Sequence, residues 1–182
     1  GVGMPLAMNK LILEDFRCFQ GQHEFPLRPL TLLVGENSTG KTSFLSAVRV
    51  AAALPRLGMS TDFNEEPFNL GSFEDIASFF GGRGGRAKTF AIGFESTSLR
   101  RLAKGPGRRP VFRLVATFSS RGGQPETTGL DLRHGSVTFR SRQDEKYGVT
   151  SFELRSAPGG EPLTGKVTFG RSRGGIERFL PL

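Results

Sequence analysis

The chain of 182 residues has a single cysteine, Cys18, and no tryptophan. One thiol excludes a disulfide framework and fits a reducing compartment, so a cytoplasmic location is expected. No apolar run approaches the roughly 20 residues that span a bilayer, and no signal-peptide pattern occurs, so no membrane association is expected. Only two histidines are present, His23 and His134, far apart in sequence. Neither a His-Glu-x-x-His nor a Gly-x-Ser-x-Gly pattern occurs, so zinc-peptidase and serine-hydrolase chemistry has no support. Each histidine is expected to be structural or solvent-exposed.

What is abundant points to a folded, turn-rich domain. Seventeen phenylalanines supply core material, while 25 glycines and 11 prolines imply many turns. This length suits a single domain over 1–182, with residues 1–7 as a tag remnant or disordered start. The net charge of +8 is carried largely by arginine. Arg83, Arg86 and Lys88 form one cluster, and Arg100, Arg101, Lys104, Arg108, Arg109 and Arg113 another. Such clusters attract polyanions, nucleic acid among them, or simply solvate loops. Aromatics are not interleaved with them as a base-stacking platform requires.

The most informative stretch is Gly35-Glu36-Asn37-Ser38-Thr39-Gly40-Lys41-Thr42, a full match to the phosphate-cradling pattern G-x-x-x-x-G-K-[ST]. Its setting is the expected one. Thr31-Leu32-Leu33-Val34 reads as a buried strand and residues 43–54 as a helix. Successive loop N–H groups would form an anion site reinforced by the helix dipole. Gly35 and Gly40 would permit positive φ and close approach to phosphate. Lys41 would reach the β- and γ-phosphates of a bound ATP, Thr42 would ligate its Mg²⁺, and Asn37 and Ser38 would shape the loop.

Along the chain, residues 10–19 begin as a strand and bend toward a turn at Gln20-Gly21. Residues 22–27 read as its hairpin partner, which Pro26 and Pro29 confine to an edge. Pro55 and Gly58 end the helix. Ser72 is placed to cap a short helix with Phe73, Ile76 and Phe80 on one face. Beyond residue 87 the apolar period becomes two, with strands expected at 87–95, 111–118, 136–141, 149–155 and 166–169, forming an antiparallel meander. Stretches near 81–86, 104–110 and 156–165 read as mobile linkers.

Two segments together carry a resemblance. Leu11-Ile12-Leu13-Glu14-Asp15-Phe16-Arg17-Cys18-Phe19, followed by Leu30-Thr31-Leu32-Leu33-Val34-Gly35-Glu36-Asn37-Ser38-Thr39-Gly40-Lys41-Thr42-Ser43-Phe44-Leu45, resembles the amino-terminal end of the RecF, SMC and OLD group of ATP-binding-cassette ATPases. The resemblance covers residues 8–54, about a quarter of the chain. It implies an α/β phosphate-loop NTPase fold of α+β character, with a mixed sheet, a phosphate-loop helix, a connecting region over 55–86 and an antiparallel subdomain over 87–182. By the same resemblance Ser43 joins the nucleotide-binding set, and Arg17 lies near the phosphates or base; the competing reading is a surface arginine at a strand end.

Cassette hydrolysis needs further parts. The family's γ-phosphate-sensing glutamine has no counterpart, since no Gln occurs between residues 23 and 123. That role is vacant or carried by a substitute such as Asn69, Ser72 or Asp75. No Walker B strand ending in Asp-Glu follows the loop, and no signature segment of the L-S-G-G-Q type appears. The chain therefore reads as the amino-terminal lobe of a longer or split ATPase whose carboxy-terminal lobe is missing. The resemblance implies ATP-driven homodimerisation through the nucleotide, with DNA and a nuclease as partners in repair or anti-phage defence. The alternative is a regulatory module that binds nucleotide without turning it over. A phosphate-loop kinase fits less well, because a meander stands where strand and helix would alternate.

Overall fold

The computed structural model describes residues 8–36, 40–55, 61–97, 111–144, 149–156 and 160–168. Along them run β1 (Met8–Phe16), β2 (Phe19–Pro26), α1 (Lys41–Ala53), α2 (Phe73–Ile76), β3 (Phe79–Gly81), β4 (Gly85–Arg86), β5 (Thr89–Thr97), β6 (Val111–Arg121), β7 (Gln124–His134), β8 (Val137–Gln143), β9 (Val149–Arg155) and β10 (Leu163–Thr168).

Leu11, Ile12 and Leu13 are consecutive and all buried, which a strand permits only when both its faces are covered. Both edges of β1 are also taken, by β2 on one side and β5 on the other. The large sheet has the order β10-β9-β8-β7-β6-β5-β1-β2, every pair antiparallel, so β1–β2 and the meander share one sheet. One cross-strand row takes a residue from each of its strands: Phe25, Leu11, Phe94, Leu114, Leu132, Phe139, Leu154 and Leu163. All are apolar, and this row fixes the register. The opposite face is charged. There Lys10, Glu24, Glu95 and Arg113 form a quartet across β1, β2, β5 and β6, with N···O distances of 2.7–3.3 Å.

α1 packs on the apolar face against β1 and β5. Phe44, Ala47, Val50, Ala51 and Leu54 recur at helical spacing and are buried. Phenylalanines fill the space beneath. Phe63 meets Phe90 and Phe118 edge-on at 5.7 and 5.0 Å, and Phe90 stacks on Phe118 at 5.1 Å. Each such buried ring contributes about 1.5–3 kcal/mol. Gly93 lets β5 and β6 close up, because a Cβ there would stand 2.5 Å from the Leu114 carbonyl oxygen.

Several expectations need correction. Residues 31–36 form no strand: Leu32 and Val34 are 78% and 91% exposed, with Leu33 alone packed against the core. A short apolar run becomes a buried strand only between neighbouring strands, and none of the described strands pairs with it. The sheet is accordingly antiparallel rather than mixed. The first turn falls at Arg17-Cys18, so β2 begins at Phe19 and Gln20-Gly21 lies inside it. β7 was not expected, because Gln124-Pro125-Glu126-Thr127-Thr128-Gly129 carries no apolar alternation. The glycine-rich stretch 81–86 is no linker: it closes a small ribbon in which β3 pairs with β4. Phe80 belongs to that ribbon and is 45% exposed, so it does not join Phe73 and Ile76 in the core. β10 starts at Leu163, inside the supposed linker 156–165. Arg113 sits in β6 within the charged quartet rather than in a flexible basic loop. Arg100, Arg101, Lys104, Arg108, Arg109 and the linker 104–110 lie outside the described residues.

Candidate nucleotide-binding site

α1 begins at the Gly-Lys-Thr of the phosphate-loop pattern, two residues earlier than periodicity suggests. Its first complete turn is marked by Phe44 N–H donating to the Gly40 carbonyl at 2.8 Å. Helix geometry leaves the N–H groups of Lys41, Thr42 and Ser43 without intrahelical acceptors, and among the described residues no side-chain cap bonds them. No acidic residue stands in this first turn to compete for its positive end. Gly40 caps the helix in the left-handed region, at φ 93°. A Cβ there would lie 2.7 Å from Cys18 Sγ and 3.5 Å from the Phe19 ring, so two constraints converge on glycine. Lys41 Nζ donates to the Gly35 carbonyl at 2.7 Å and to that of Glu36. Asn37, Ser38 and Thr39 lie outside the described residues.

A cavity of about 550 Å³ opens at this helix end, within the size range of small-molecule sites. Gly40, Lys41, Thr42 and Ser43 form one wall, and the β1–β2 turn with the start of β2 forms another through Arg17, Cys18 and Gln20. That turn is strained, with Asp15 and Arg17 at φ 50° and 52°, where an L-residue pays about 1–2 kcal/mol. It is held by Arg17 N–H donating to Ile76 O at 2.7 Å, by Ser78 Oγ donating to Arg17 O at 2.8 Å, and by the Phe16–Ala77 bridge. The Arg17 side chain is half-buried rather than on the open surface. Its Nη2 donates to Leu70 O at 3.1 Å, and its buried Nε has no partner among the described residues. Arg17 thus lines the same cavity as Lys41.

Of the three candidates to replace the missing glutamine, Asp75 alone lines the cavity. Its Oδ2 accepts from Ser72 N–H and Ser72 Oγ, both at 2.8 Å, closing the capping box of α2. These bonds, and then the nearby Arg17 and Arg86, hold its carboxyl below the ordinary range. Asn69 instead binds Gly71 N–H within its own turn. Among the described residues no cluster of three or more His, Cys, Asp or Glu could hold a metal by itself. One hydroxyl, Thr42, exposed at the cavity, suits a Mg²⁺ that arrives on phosphate oxygens and keeps most of its waters. His23 stacks on Phe25 at 5.8 Å and contacts Gln20 O at 2.7 Å, in keeping with a structural role.

Sequence reading did not place Cys18, Gln20, Ala77, Phe79 or Arg86 at this cavity. The available signal was Phe79-Phe80-Gly81-Gly82-Arg83-Gly84-Gly85-Arg86, whose glycine pairs form the tight ribbon that brings Phe79 opposite Arg86.

No helix among the described residues is long and apolar enough to cross a membrane. No solved structure matches the chain. A family model described as an AAA domain matches residues 10–147, which include the loop, both helices, the β1–β2 turn and the meander as far as β8. On that match the chain belongs to the AAA-domain family of nucleotide-binding ATPases.

Proposed function

We propose that this chain is the ATP-binding part of an ABC-type ATPase of the RecF, SMC and OLD group. One observation carries the reading: an uncapped helix end, Lys41 and Arg17 meet in one cavity although Arg17 comes from a different element. Phosphate oxygens would accept from the Lys41, Thr42 and Ser43 N–H groups, Lys41 would turn from the loop carbonyls to the β- and γ-phosphates, and Arg17 would add a further cationic donor. Thr42 would be this chain's ligand to a Mg²⁺ carried in on the nucleotide, whose charge would offset that of the phosphates.

Turnover would require a further lobe. The exposed run Leu30, Leu32 and Val34, at 77%, 78% and 91%, supports that proposal, since strands added beside it would bury it next to the phosphate loop. In the same reading the assembled ATPase is a cytoplasmic homodimer closed through the nucleotide and works with DNA and a nuclease in repair or anti-phage defence. The net charge of +8 favours a polyanionic partner. A non-hydrolysing regulatory module is the second reading. It is favoured by Asp75, the carboxylate lining the cavity, being engaged by Ser72.

Calorimetry with MgATP tests the site. Lys41→Ala should lose most of the affinity with little change in thermal stability, because among the described residues the Lys41 ammonium bonds to loop carbonyls alone. Equal binding by both proteins would refute the assignment.

A further inference from the structure

Phe79 is 56% exposed, yet it is no loose surface ring. Gln20 Nε2 donates to its carbonyl at 2.8 Å, tying the β3–β4 ribbon to the β1–β2 turn. Phe79 pairs across the ribbon with Arg86, whose guanidinium lies over the ring at 5.4 Å from its centroid. Arg86 is fixed in turn, its Nη1 donating to Ala77 O at 2.7 Å. The ribbon is pinned at its base by Ala87 N–H donating to Ser78 O and Ser78 N–H donating to Asp15 O, both at 2.9 Å. Adjacent strand residues point to opposite faces, so Phe79 and Arg86 line the cavity while Phe80 does not. The result is an aromatic ring and a planar cation, both ordered in advance and sharing the cavity with Lys41 and Thr42.

We propose that the Phe79–Arg86 pair is the platform on which the base of the bound nucleotide stacks. This rests on the phosphate-loop reading and extends it from the phosphates to the nucleoside. A base stacked on the pair adds a third layer, with the ring face and the guanidinium both contributing. Because every base has a π-face, the platform discriminates nucleotide from bare polyphosphate more than one base from another. It also accounts for a large exposed ring at a site where burial in the core would be simpler.

The test compares MgATP with magnesium tripolyphosphate, which lacks the nucleoside. By calorimetry, Phe79→Ala should weaken MgATP binding about 5- to 150-fold, the equivalent of about 1–3 kcal/mol of stacking. Tripolyphosphate should bind wild type and variant within about twofold. The chain contains no tryptophan, so Phe79→Trp introduces a sole reporter whose fluorescence should change with ATP and not with tripolyphosphate. Unchanged ATP affinity in Phe79→Ala, with binding still lost in Lys41→Ala, would overturn the platform and leave the phosphate loop standing. Equal loss of ATP and tripolyphosphate in Phe79→Ala would mark the ring as structural and overturn it as well. If the wild-type chain binds neither ligand, the phosphate-loop reading fails and the platform fails with it.

Discussion

Replacing Gly40 with alanine separates two reasons for the glycine, one in the backbone and one in its neighbour. The left-handed cap at φ 93° costs an L-residue about 1–2 kcal/mol. The new Cβ would also stand 2.7 Å from Cys18 Sγ, which must swing aside. Cys18 is exposed and short, so leaving its rotamer well costs about 0.5–1.5 kcal/mol more. The expected loss is therefore about 1.5–3.5 kcal/mol. At about 2–4 °C per kcal/mol for a chain of this size, the melting temperature should fall by about 3–14 °C. Urea unfolding of wild type, Gly40→Ala, Cys18→Ala and the double variant, all without nucleotide, gives a double-mutant cycle. Removing the sulfur should recover the steric share and leave the dihedral share. A Gly40→Ala protein as stable as wild type would refute the left-handed cap. A loss that Cys18→Ala leaves untouched would refute the close approach of the β1–β2 turn.

Glu24→Gln should cost about 0.5–1 kcal/mol at neutral pH, the scale of a partly exposed ion pair. Lys10, and then Arg113, hold the Glu24 carboxyl below its ordinary value of 4.5, so its contribution is present above that value and lost as pH falls through the lower folded one. Unfolding curves of wild type and variant should converge as pH falls below 4.5, and a gap that stays constant would show that the quartet is not coupled through this charge. Phosphate-release assays on the purified chain should show negligible ATP turnover, restored by adding the carboxy-terminal lobe; sustained turnover by the chain alone would contradict the proposed division of labour. Duplex DNA should be retained with an affinity that falls steeply with salt. Arg133 and Lys166 form no ion pair among the described residues, so replacing both with serine should flatten the slope of log K against log salt by about one for each phosphate no longer neutralised. No retention even at low salt would remove DNA from the reading.

The helix α1 was legible because Phe44, Ala47, Val50, Ala51 and Leu54 recur at helical spacing behind a glycine, a local pattern that needs no distant partner to be read. The meander was legible where Phe and Val alternate with polar residues, as in β6 and β8. β7 escaped because its inward residues, Leu130 and Leu132, come only after a polar stretch containing Pro125 and Gly129. Residues 31–34 misled for the opposite reason: composition states what a segment would do between two strands, and carries no information on whether those strands are present. The far wall of the cavity was not legible either. Gln20 and Phe79 meet across 59 positions, and an interaction at that separation leaves no local period to read.

Leu30, Leu32 and Val34 also bear on how this chain behaves outside its assembly. An exposed apolar run that pairs with none of the described strands is a template for another chain, and a second copy offers the same run. Pro29 and Glu36 bound it and limit how far a mismatched pairing can spread, the way gatekeeper residues act elsewhere. A lobe that covered this run, as proposed above, would act on yield as much as on catalysis. Expressed alone, the chain competes with its own copies for the edge beside the phosphate loop, and its solubility becomes a direct readout of whether that edge has found the right strand.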